Sequence, residues 1–396
     1  MSGWPKYPLG ELCNIAAGGT PSRSERKYFD GSIPWVKIGD MLQSVITHTE
    51  ENISDAGLAN SAAKKFPVGT VLISIFATIG RTAVLGIEAA TNQAIAGVTP
   101  KDSQQLNPRF LRLYFDSLVA ELTKQARVVA QLNINLGILR SLSVPLPSMA
   151  EQRRIAAILD QAETLRTQRR AALAQLDSLT QSIFLDMFGD PERFEWPLAL
   201  LGDIVDEDNG SIRTGPFGSQ LLHSEFVDEG IAVLGIDNAV ANEFRWGERR
   251  YVTPAKYQQL KRYTVRPGDV LITIMGTCGR CAVVPDDIPV AINTKHLCCI
   301  SVDRQRMTPI FLHTYFLQHP IARKYLEQTA KGAIMSGLNL GIIKAMPIPV
   351  PPLPLQQTFA TRIQAIEALK ATHRAALAQL DALFAALQQR AFAGQL

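Results

Sequence analysis

Residues 170–179 read RAALAQLDSL and residues 374–383 read RAALAQLDAL, so nine of ten positions are identical at an offset of 204. At the same offset, GILRSLSVPLP at 137–147 matches GIIKAMPIPVP at 341–351. A repeat of about 200 residues indicates a duplicated domain, because the repeats of solenoid proteins run to about 20–50 residues. The chain therefore has the order module, helix, module, helix.

Each module repeats short apolar runs upstream of its helix. Residues 70–75 and 270–274 are typical of buried strands, and a Gly-Arg pair follows each run. A helical stretch comes next in each copy, near 108–125 and 309–328. Strands and helices that occur in separate runs predict an α+β fold for each module.

Two long helices are predicted after the Pro-rich segments that close the modules. Ser148 and Glu151 form a capping box, in which each side chain accepts a hydrogen bond from a backbone N–H at the helix start. The first helix is expected to end near Met187, because Gly189 and Pro191 follow. The predicted boundaries are a module at 1–147, a helix at 148–189, a module at 190–351 and a helix at 352–396.

An apolar stripe along each helix predicts that the two helices pack as an antiparallel coiled coil with pseudo-twofold symmetry. Arg169 interrupts the first stripe, and His373 interrupts the second at the matching position. These two residues either meet near the middle and fix the register or point outward to solvent. The residues predicted for the seam are Ile155, Ile158, Leu165, Arg169, Leu176, Leu179, Ile183, Ile366, Leu369, His373, Leu380 and Leu383.

The composition is typical of a globular protein, and a cytoplasmic location is expected. The longest apolar run, at 71–79, is too short to span a bilayer, and residues 1–10 lack the apolar core of a signal peptide. The net charge of +4 is too small to identify a nucleic-acid partner by itself. Residues 190–349 hold 17 basic and 18 acidic side chains, so DNA binding there needs local patches or partner subunits.

With these parts in order, the chain resembles the specificity subunit of type I restriction-modification systems over essentially its whole length. The segments that carry the resemblance are VPLPSMAEQRRI at 144–155, LDMFGDP at 185–191, QRAFAGQL at 389–396, GGTPS at 18–22 and YFDGSIPW at 28–35. The second helix departs from the family pattern, with Leu355 and Gln356 where the first helix has Glu151 and Gln152.

The resemblance implies a non-catalytic subunit that reads double-stranded DNA. In this family two target recognition domains each read one half of a split asymmetric sequence. The helices set the spacing between the half-sites and dock two methyltransferase subunits, and restriction subunits with motor and nuclease activity join for cleavage. No cofactor is expected on this chain, because S-adenosylmethionine belongs to the methyltransferase that methylates adenine.

Sequence motifs of competing functions are absent. The chain has no Asn-Pro-Pro-Tyr-like element for amino methylation, no Walker A loop and no Gly-x-Gly-x-x-Gly after a strand. These absences disfavour a stand-alone methyltransferase or nuclease. A coiled-coil scaffold that bridges two copies of a partner without reading DNA is the alternative, since the duplicated helix alone suits that role.

Cysteines crowd into the second module, at Cys278, Cys281, Cys298 and Cys299. Four thiols suggest zinc. The duplication argues against it, because the first module carries Ile79 and Thr82 opposite the first pair. No metal is therefore predicted, and the cysteines are expected to be small buried hydrophobes.

Loops that carry Arg, Lys, Asn, Gln and Thr are the candidates for DNA contact, since phosphates attract cations and base edges need directed donors and acceptors. In the first module the candidates are Thr20, Arg23, Arg26, Lys27, Thr78, Arg81, Asn92 and Gln93. In the second module they are Arg245, Trp246, Arg249, Arg250, Tyr251, Thr277, Arg280, Asn293, Lys295 and Lys331.

A simpler interpretation stands beside each candidate group. The loop at 18–27 is otherwise a solvated loop, and the matching Gly-Arg pairs otherwise serve shared folding. Asn92 and Asn293, which align in the repeat, are otherwise turn formers. The cationic and aromatic cluster at 244–251 has no close counterpart in the first module. Modules that read different half-sites would differ in this way, but so would a loop that only makes the protein more soluble.

Overall fold

The computed structural model describes residues 4–76, 78–128, 134–189, 196–207, 211–330 and 337–396. The chain folds as two compact units, Met1–Ala171 with Arg374–Leu396, and Ala172–His373. Within the described ranges, no helix is both long enough and apolar enough to cross a membrane.

The first unit combines sheets with helices. Its strands are β1 (Lys6–Pro8), β2 (Cys13–Ala17), β3 (Ile33–Val36), β4 (Val45–Ile46), β5 (Glu51–Ile53), β6 (Lys65–Phe66), β7 (Val71–Ser74), β8 (Thr82–Leu85), β9 (Ala89–Thr91), β10 (Ile95–Pro100) and β11 (Ser143–Pro145). Its helices are α1 (Leu9–Leu12), α2 (Asp55–Ala59), α3 (Pro108–Val128), α4 (Leu136–Ser141) and the first half of α5 (Met149–Phe188).

Two larger sheets form the body of this unit. One has the strand order β2-β10-β7-β8-β4 and the other β5-β3-β9-β6, while β1 pairs with β11. Strands β3 and β9 run parallel. Val71 of the first sheet, Phe110 of α3 and Ile155 and Leu159 of α5 share one buried cluster. The core therefore joins the sheet to the long helix.

The second unit repeats this architecture. Its strands are β12 (Leu198–Leu200), β13 (Ile212–Thr214), β14 (Ile231–Leu234), β15 (Tyr251–Val252), β16 (Thr264–Val265), β17 (Val270–Thr273), β18 (Cys281–Val283), β19 (Ala291–Asn293), β20 (Leu297–Ile300) and β21 (Pro347–Pro349). Its helices are α6 (Pro254–Leu260), α7 (Pro309–Gln318), α8 (Pro320–Ala330), α9 (Leu340–Lys344) and most of α10 (Leu353–Phe392).

The sheets of the second unit follow the strand order of the first, except that its described residues form no counterpart of the edge strand β4. They are β13-β20-β17-β18 and β15-β14-β19-β16, with β12 paired to β21, and β14 and β19 run parallel. Aromatic rings dominate the core: Phe184 and Phe188 of α5 pack on Phe311 of α7 and Phe359 of α10. The α+β prediction is confirmed for both units.

The helical stretch predicted near 309–328 is two helices. His319 interrupts it, and Pro320 starts α8. Proline lacks the N–H that a continuing helix needs, so the break falls where the sequence places the ring. The equivalent stretch of the first unit, α3, has no internal proline and is continuous.

Each long helix has a buried glutamine in its first turn. The Nε2 of Gln152 donates to Gln105 O and Pro147 O, both at 2.9 Å, and its Oε1 accepts from Asn107 N at 2.8 Å. Gln356 makes the same three kinds of bond to the backbone in the second unit. Both side chains are fully buried. The glutamine is therefore the feature that the two helix starts share.

The serine half of the predicted capping box is confirmed. Ser148 Oγ accepts from Glu151 N at 3.3 Å. The Glu151 carboxylate accepts from Arg154, which lowers the pKa of Glu151 below its usual range. Asn135 and Asn339 cap α4 and α9 in the same manner, each accepting at 2.9 Å from the backbone N–H three residues later.

Segments of the two long helices contact each other inside each unit. In the first unit Arg166 pairs with Asp381, and Arg154 Nη2 donates to Leu396 O at 2.6 Å. In the second unit Lys370 pairs with Asp177. The first half of α5 thus contacts the second half of α10 and the residues after it, and the second half of α5 contacts the first half of α10.

The buried rows of both helices follow a spacing that alternates between four and three residues. On α5 the row is Ile155, Leu159, Ala162, Arg166, Arg169, Leu173, Leu176, Thr180, Ile183 and Met187. On α10 it is Phe359, Ile363, Ile366, Lys370, His373, Leu377, Leu380, Phe384, Leu387 and Ala391. Every member is buried or half-buried, as a coiled-coil seam requires.

The seam prediction is wrong for Leu165, Leu179, Leu369 and Leu383, which are 44–50% exposed. At three of these places the seam residue is the polar one that follows, Arg166, Thr180 or Lys370, so apolar spacing pointed one residue too early. Leu383 precedes Phe384 in the same way. The other predicted members, Ile155, Ile158, Arg169, Leu176, Ile183, Ile366, His373 and Leu380, are buried or half-buried. A contact that fixes the register at Arg169 and His373 stays a prediction.

Candidate nucleic-acid interface

In the first unit, predicted DNA-contact residues gather where the parallel strands β3 and β9 end. The N–H of Asn92, after β9, donates to Val36 O at 3.1 Å. Arg81 Nη1 donates to Ile38 O, after β3, at 3.0 Å. The carboxyl ends of two parallel strands share one edge, so loops from distant parts of the sequence meet there.

The loop at 18–27 is fastened to the same edge. Trp35 Nε1 donates to Gly19 O at 3.1 Å, and the Thr20 hydroxyl donates to the Gln93 side-chain oxygen. Two predicted candidates, Thr20 and Gln93, are therefore in direct contact although 73 residues separate them in sequence. The start of this loop is anchored, which a fully solvated loop would not be.

Charges at this edge are arranged as a network. Arg23 Nη1 lies 2.7 Å from Glu51 Oε2, and its guanidinium is 4.3 Å from the centroid of the Phe29 ring. Lys37 Nζ lies 2.7 Å from both Glu50 and Glu51. The hydrogen bonds from Lys37 and Arg23 lower the pKa of Glu51 below its usual range. Cations and carboxylates therefore lie side by side at this edge, paired with one another.

Other candidates of the first unit are exposed. Arg26 and Thr78 face solvent, and Lys27 Nζ is 3.6 Å from Glu25 Oε2. An exposed cation in a loop suits a phosphate contact, because a backbone contact needs charge without exact orientation. Their contact with DNA stays a prediction.

The matching Gly-Arg pairs build the same turn in both units. Ser74 Oγ accepts from Arg81 N at 2.8 Å, and Thr273 Oγ1 accepts from Arg280 N at 2.9 Å. The glycine before each arginine has a φ of +83° or +80°, a conformation that favours glycine. Shared folding therefore accounts for the backbone of this motif. The Arg280 side chain is exposed, whereas that of Arg81 is half-buried by its bond to Ile38.

The loop at 244–250 lies at the equivalent edge of the second unit. Thr294 N donates to Leu234 O at 2.9 Å, as Asn92 does in the first unit. Asn238, just after β14, is buried and its Nδ2 donates to Arg245 O at 2.9 Å. The cationic and aromatic cluster is therefore tied by its backbone to the carboxyl end of β14.

Within this cluster aromatic and cationic side chains stack. Arg249 lies 5.2 Å from the centroid of the Trp246 ring, and Trp246 meets Phe244 edge to face at 5.3 Å. Arg245 pairs with Glu243. Trp246 keeps 40% of its surface exposed, so an aromatic face and two cations are presented together.

Arg250 and Tyr251 lie at the start of β15. Arg250 pairs with Asp237, and each of these side chains is 33% exposed. Tyr251 is half-buried and packs against the apolar cluster that contains Ala232 and Val265. Arg250 therefore belongs to the accessible edge, whereas Tyr251 belongs largely to the core.

The DNA-contact prediction is wrong for Asn293, and its alignment with Asn92 is wrong as well. Asn293 is fully buried and its Nδ2 donates to Leu297 O at 3.0 Å. The residue that matches Asn92 is Thr294, because both donate to the end of the central parallel strand. Asn92 Oδ1 accepts from Ala94 N at 3.1 Å, so Asn92 is the turn former that the simpler interpretation expected.

Three further candidates of the second unit have different settings. Thr277 is exposed in the glycine-rich turn, and Lys295 is half-buried beside Thr294. Lys331 lies outside the described residues.

Sequence reasoning missed Lys37, Glu51 and Asp237. They are single charged residues in unremarkable sequence, and only the pairing of strands brings them beside the predicted loops. Burial, Lys295 and Arg250 lower the pKa of the nearby His296 imidazole below its usual range. The match of 33–40 with 231–238 sets Asp237 opposite Gly39, so the repeat gave no signal for Asp237.

Three of the four cysteines of the second unit are small buried residues as predicted, whereas the prediction is wrong for Cys278, which is only half-buried. Cys281, Cys298 and Cys299 are fully buried on strands, in the apolar clusters of the sheet. Burial raises the pKa of the Cys298 thiol to about 12 and that of Cys281 well above its usual range. Among the described residues, no three metal-ligating side chains stand close enough to hold an ion.

Comparison with known proteins gives a consistent result. The sequence model of the family described as "Type I restriction modification DNA specificity domain" matches residues 1–175 and 241–382. The EcoBI specificity subunit of Escherichia coli is 22% identical over 427 residues, which covers 99% of this chain and 86% of that protein. The MjaIX specificity subunit of Methanocaldococcus jannaschii is 25% identical over 229 residues, and the match spans about half of its length, 53%.

Solved structures share the fold. The type I S subunit from M. genitalium aligns with a TM-score of 0.61 at 14% identity, covering 98% of this chain and 96% of that one. A chain from a study of complex assembly in the type I R-M system aligns with a TM-score of 0.57 at 19% identity, covering 100% and 98%.

Proposed function

The chain belongs to the family of type I restriction-modification specificity subunits, and we propose that it reads a bipartite asymmetric DNA site, one half-site with each unit. It does so without catalysing a reaction itself. Methyltransferase subunits, two per complex, supply S-adenosylmethionine and methylate adenine, and restriction subunits add cleavage. The complex acts in the cytoplasm on double-stranded DNA.

The observation that carries the proposal is the same edge in both units. At the carboxyl ends of β3 and β9, and of β14 and β19, hydrogen bonds to backbone carbonyl groups hold loops rich in cations and amides. The supporting turn is shared, while the side chains differ. Common scaffolding with different side chains is what two modules need if each binds DNA alike and reads different bases.

The long helices are proposed to form one antiparallel coiled coil that spaces the half-sites and offers docking surfaces. The four-three rows of buried residues and the ion pairs within each unit support this. A helix of 40 residues is about 60 Å long at 1.5 Å per residue. That length is enough to span more than one turn of DNA, about 34 Å.

The test is footprinting of the chain assembled with its methyltransferase subunits on duplex DNA. The proposal predicts protection of two specified segments around an unspecified spacer, and much weaker protection by the chain alone. Protection that ignores base sequence would contradict it.

A further inference from the structure

One strand position carries opposite charges in the two units. Glu51 lies opposite Trp35, the third residue of β3. Arg250 lies opposite Val233, the third residue of β14, and its carbonyl accepts from Val233 N at 2.8 Å. The two positions are therefore equivalent. The first unit has an acid at this position, and the second unit has an arginine there.

Each of these side chains is held by a counter-charge from the turn after the central strand. Lys37 holds Glu51 at 2.7 Å in the first unit, and Asp237 holds Arg250 in the second. All four side chains are 24–33% exposed. The pairs are thus positioned by the fold and still reachable from solvent.

The hydrogen bonding of the pair in the second unit is incomplete among the described residues. Asp237 Oδ2 and Arg250 Nε are buried and, among the described residues, make no hydrogen bond. Gly247 lies directly over the carboxylate, since a Cβ there would be 2.1 Å from Asp237 Oδ2. Gly247 thus covers the carboxylate, so Asp237 orients Arg250, and the exposed third of the Arg250 side chain is the part that a ligand reaches.

The chemistry of the pairs matches base edges in the major groove. Arginine binds guanine O6 and N7 with two parallel hydrogen bonds, and a carboxylate accepts from the amino group of cytosine. Trp246 and Arg249 flank Gly247 in the same loop, and the Thr294 hydroxyl, just after β19, is buried with no hydrogen-bond partner among the described residues.

We infer that Arg250 with Asp237, and Glu51 with Lys37, are specificity-determining pairs that read one base pair in each half-site. Arg250 binds guanine in the second half-site, and Glu51 accepts from the amino group of cytosine in the first. The inference rests on the proposed function and names the residues through which the two units come to read different bases.

The experiment selects bound DNA from a duplex pool with a randomised centre, using the full chain assembled with its methyltransferase subunits. The variants are Arg250→Gln and Glu51→Gln, and Arg323→Gln on α8, away from this edge, is the matched control. Thermal unfolding of each variant verifies that it folds.

Arg250→Gln is expected to lower the preference for guanine at one position of the second half-site by about five- to a hundredfold and to leave the first half-site unchanged. Glu51→Gln is expected to change one position of the first half-site only. Unchanged preferences, or uniform weakening at every position, would overturn the inference. If the unmodified complex selects no sequence at all, the proposed function itself fails, which is a distinct result.

Discussion

Arg166 Nε donates to Asp381 Oδ1 at 2.6 Å in the first unit, and the repeat offset of 204 carries this pair onto Lys370 and Asp177 in the second, where Lys370 Nζ lies 2.8 Å from Asp177 Oδ1. The duplication has therefore kept a cation on the buried row of one helix and its carboxylate on the other. Arg166 also lies over the Phe384 ring, 4.4 Å from its centroid. A charge in such a row favours one alignment of the helices, since any shift leaves it unpaired.

Replacement of Asp381 by alanine is expected to destabilise the first unit by about 1–2 kcal/mol, because the Arg166 guanidinium is largely buried and loses its closest counter-charge on α10. Urea unfolding, monitored by hydrogen exchange of peptides from α5, measures this loss of stability. Asp186→Ala, on the exposed face of α5, is the control and should cost far less. Equal effects of the two variants would mean that the ion pair does not contribute.

The glutamines at the helix starts give a second prediction. Gln152→Leu and Gln356→Leu each remove three hydrogen bonds and leave a buried backbone N–H and two carbonyl groups without their partner, at a cost of about 2–4 kcal/mol. Gln161→Leu, at an exposed position of α5, is the matched control. Thermal unfolding should separate both variants from the control, and a shift no larger than that of Gln161→Leu would refute the structural role.

The turns that end at Gly80 and Gly279 predict that the same substitution destabilises the two units by different amounts. Gly80→Ala and Gly279→Ala both place a side chain at positive φ, which costs about 1 kcal/mol. Gly80→Ala also brings a Cβ within 2.8 Å of Val119 Cγ1, whereas a Cβ at Gly279 meets nothing within 4 Å. Unfolding in urea should therefore show the larger loss for Gly80→Ala, and the reverse order would contradict the geometry.

Acid is expected to weaken the second unit. Burial lowers the pKa of His313 below its usual 6.5, and its Nε2 lies 2.9 Å from Asn242 O. The unfolded chain therefore binds a proton that the folded chain resists, so stability is lost as the pH falls below about 6.5.

Hydrogen exchange of peptides from the second unit, compared above pH 7 and below pH 6, measures this loss. His313→Gln keeps a donor for the carbonyl groups of Asn242 and Cys281 and should make stability less dependent on pH. His223→Gln, at an exposed site, should leave the pH dependence of stability unchanged. An unchanged slope in His313→Gln would assign the acid sensitivity to other groups.

The repeat made the α+β modules and the long helices predictable, because identity at a fixed offset and capping residues are local in sequence. The row of buried residues along the helices was not predictable. Arg166, Thr180 and Lys370 lie in this row, and the apolar residue just before each of them was predicted in its place. Burial of a charged residue depends on its partner, here Asp381 or Asp177, and the partner lies on the other helix.

The sequence predicted which loops form the candidate interface but not which of their residues contact each other. Thr20 and Gln93 were singled out separately, and the structure joins them. Asn293 was misplaced because insertions shift the repeat offset between the modules, so that Thr294 takes the position of Asn92. Glu51 and Asp237 were not singled out because strand pairing and turn geometry bring them beside the candidate loops, and no local pattern encodes that placement.

The central claim is that the two units read two halves of one site. Mapping methylated adenines in the genome of cells with and without this chain, with its methyltransferase present in both, tests it most directly. The account predicts a methylated motif of two specified segments around an unspecified spacer, which disappears when the chain is removed. A contiguous motif, or methylation that persists without the chain, would contradict it.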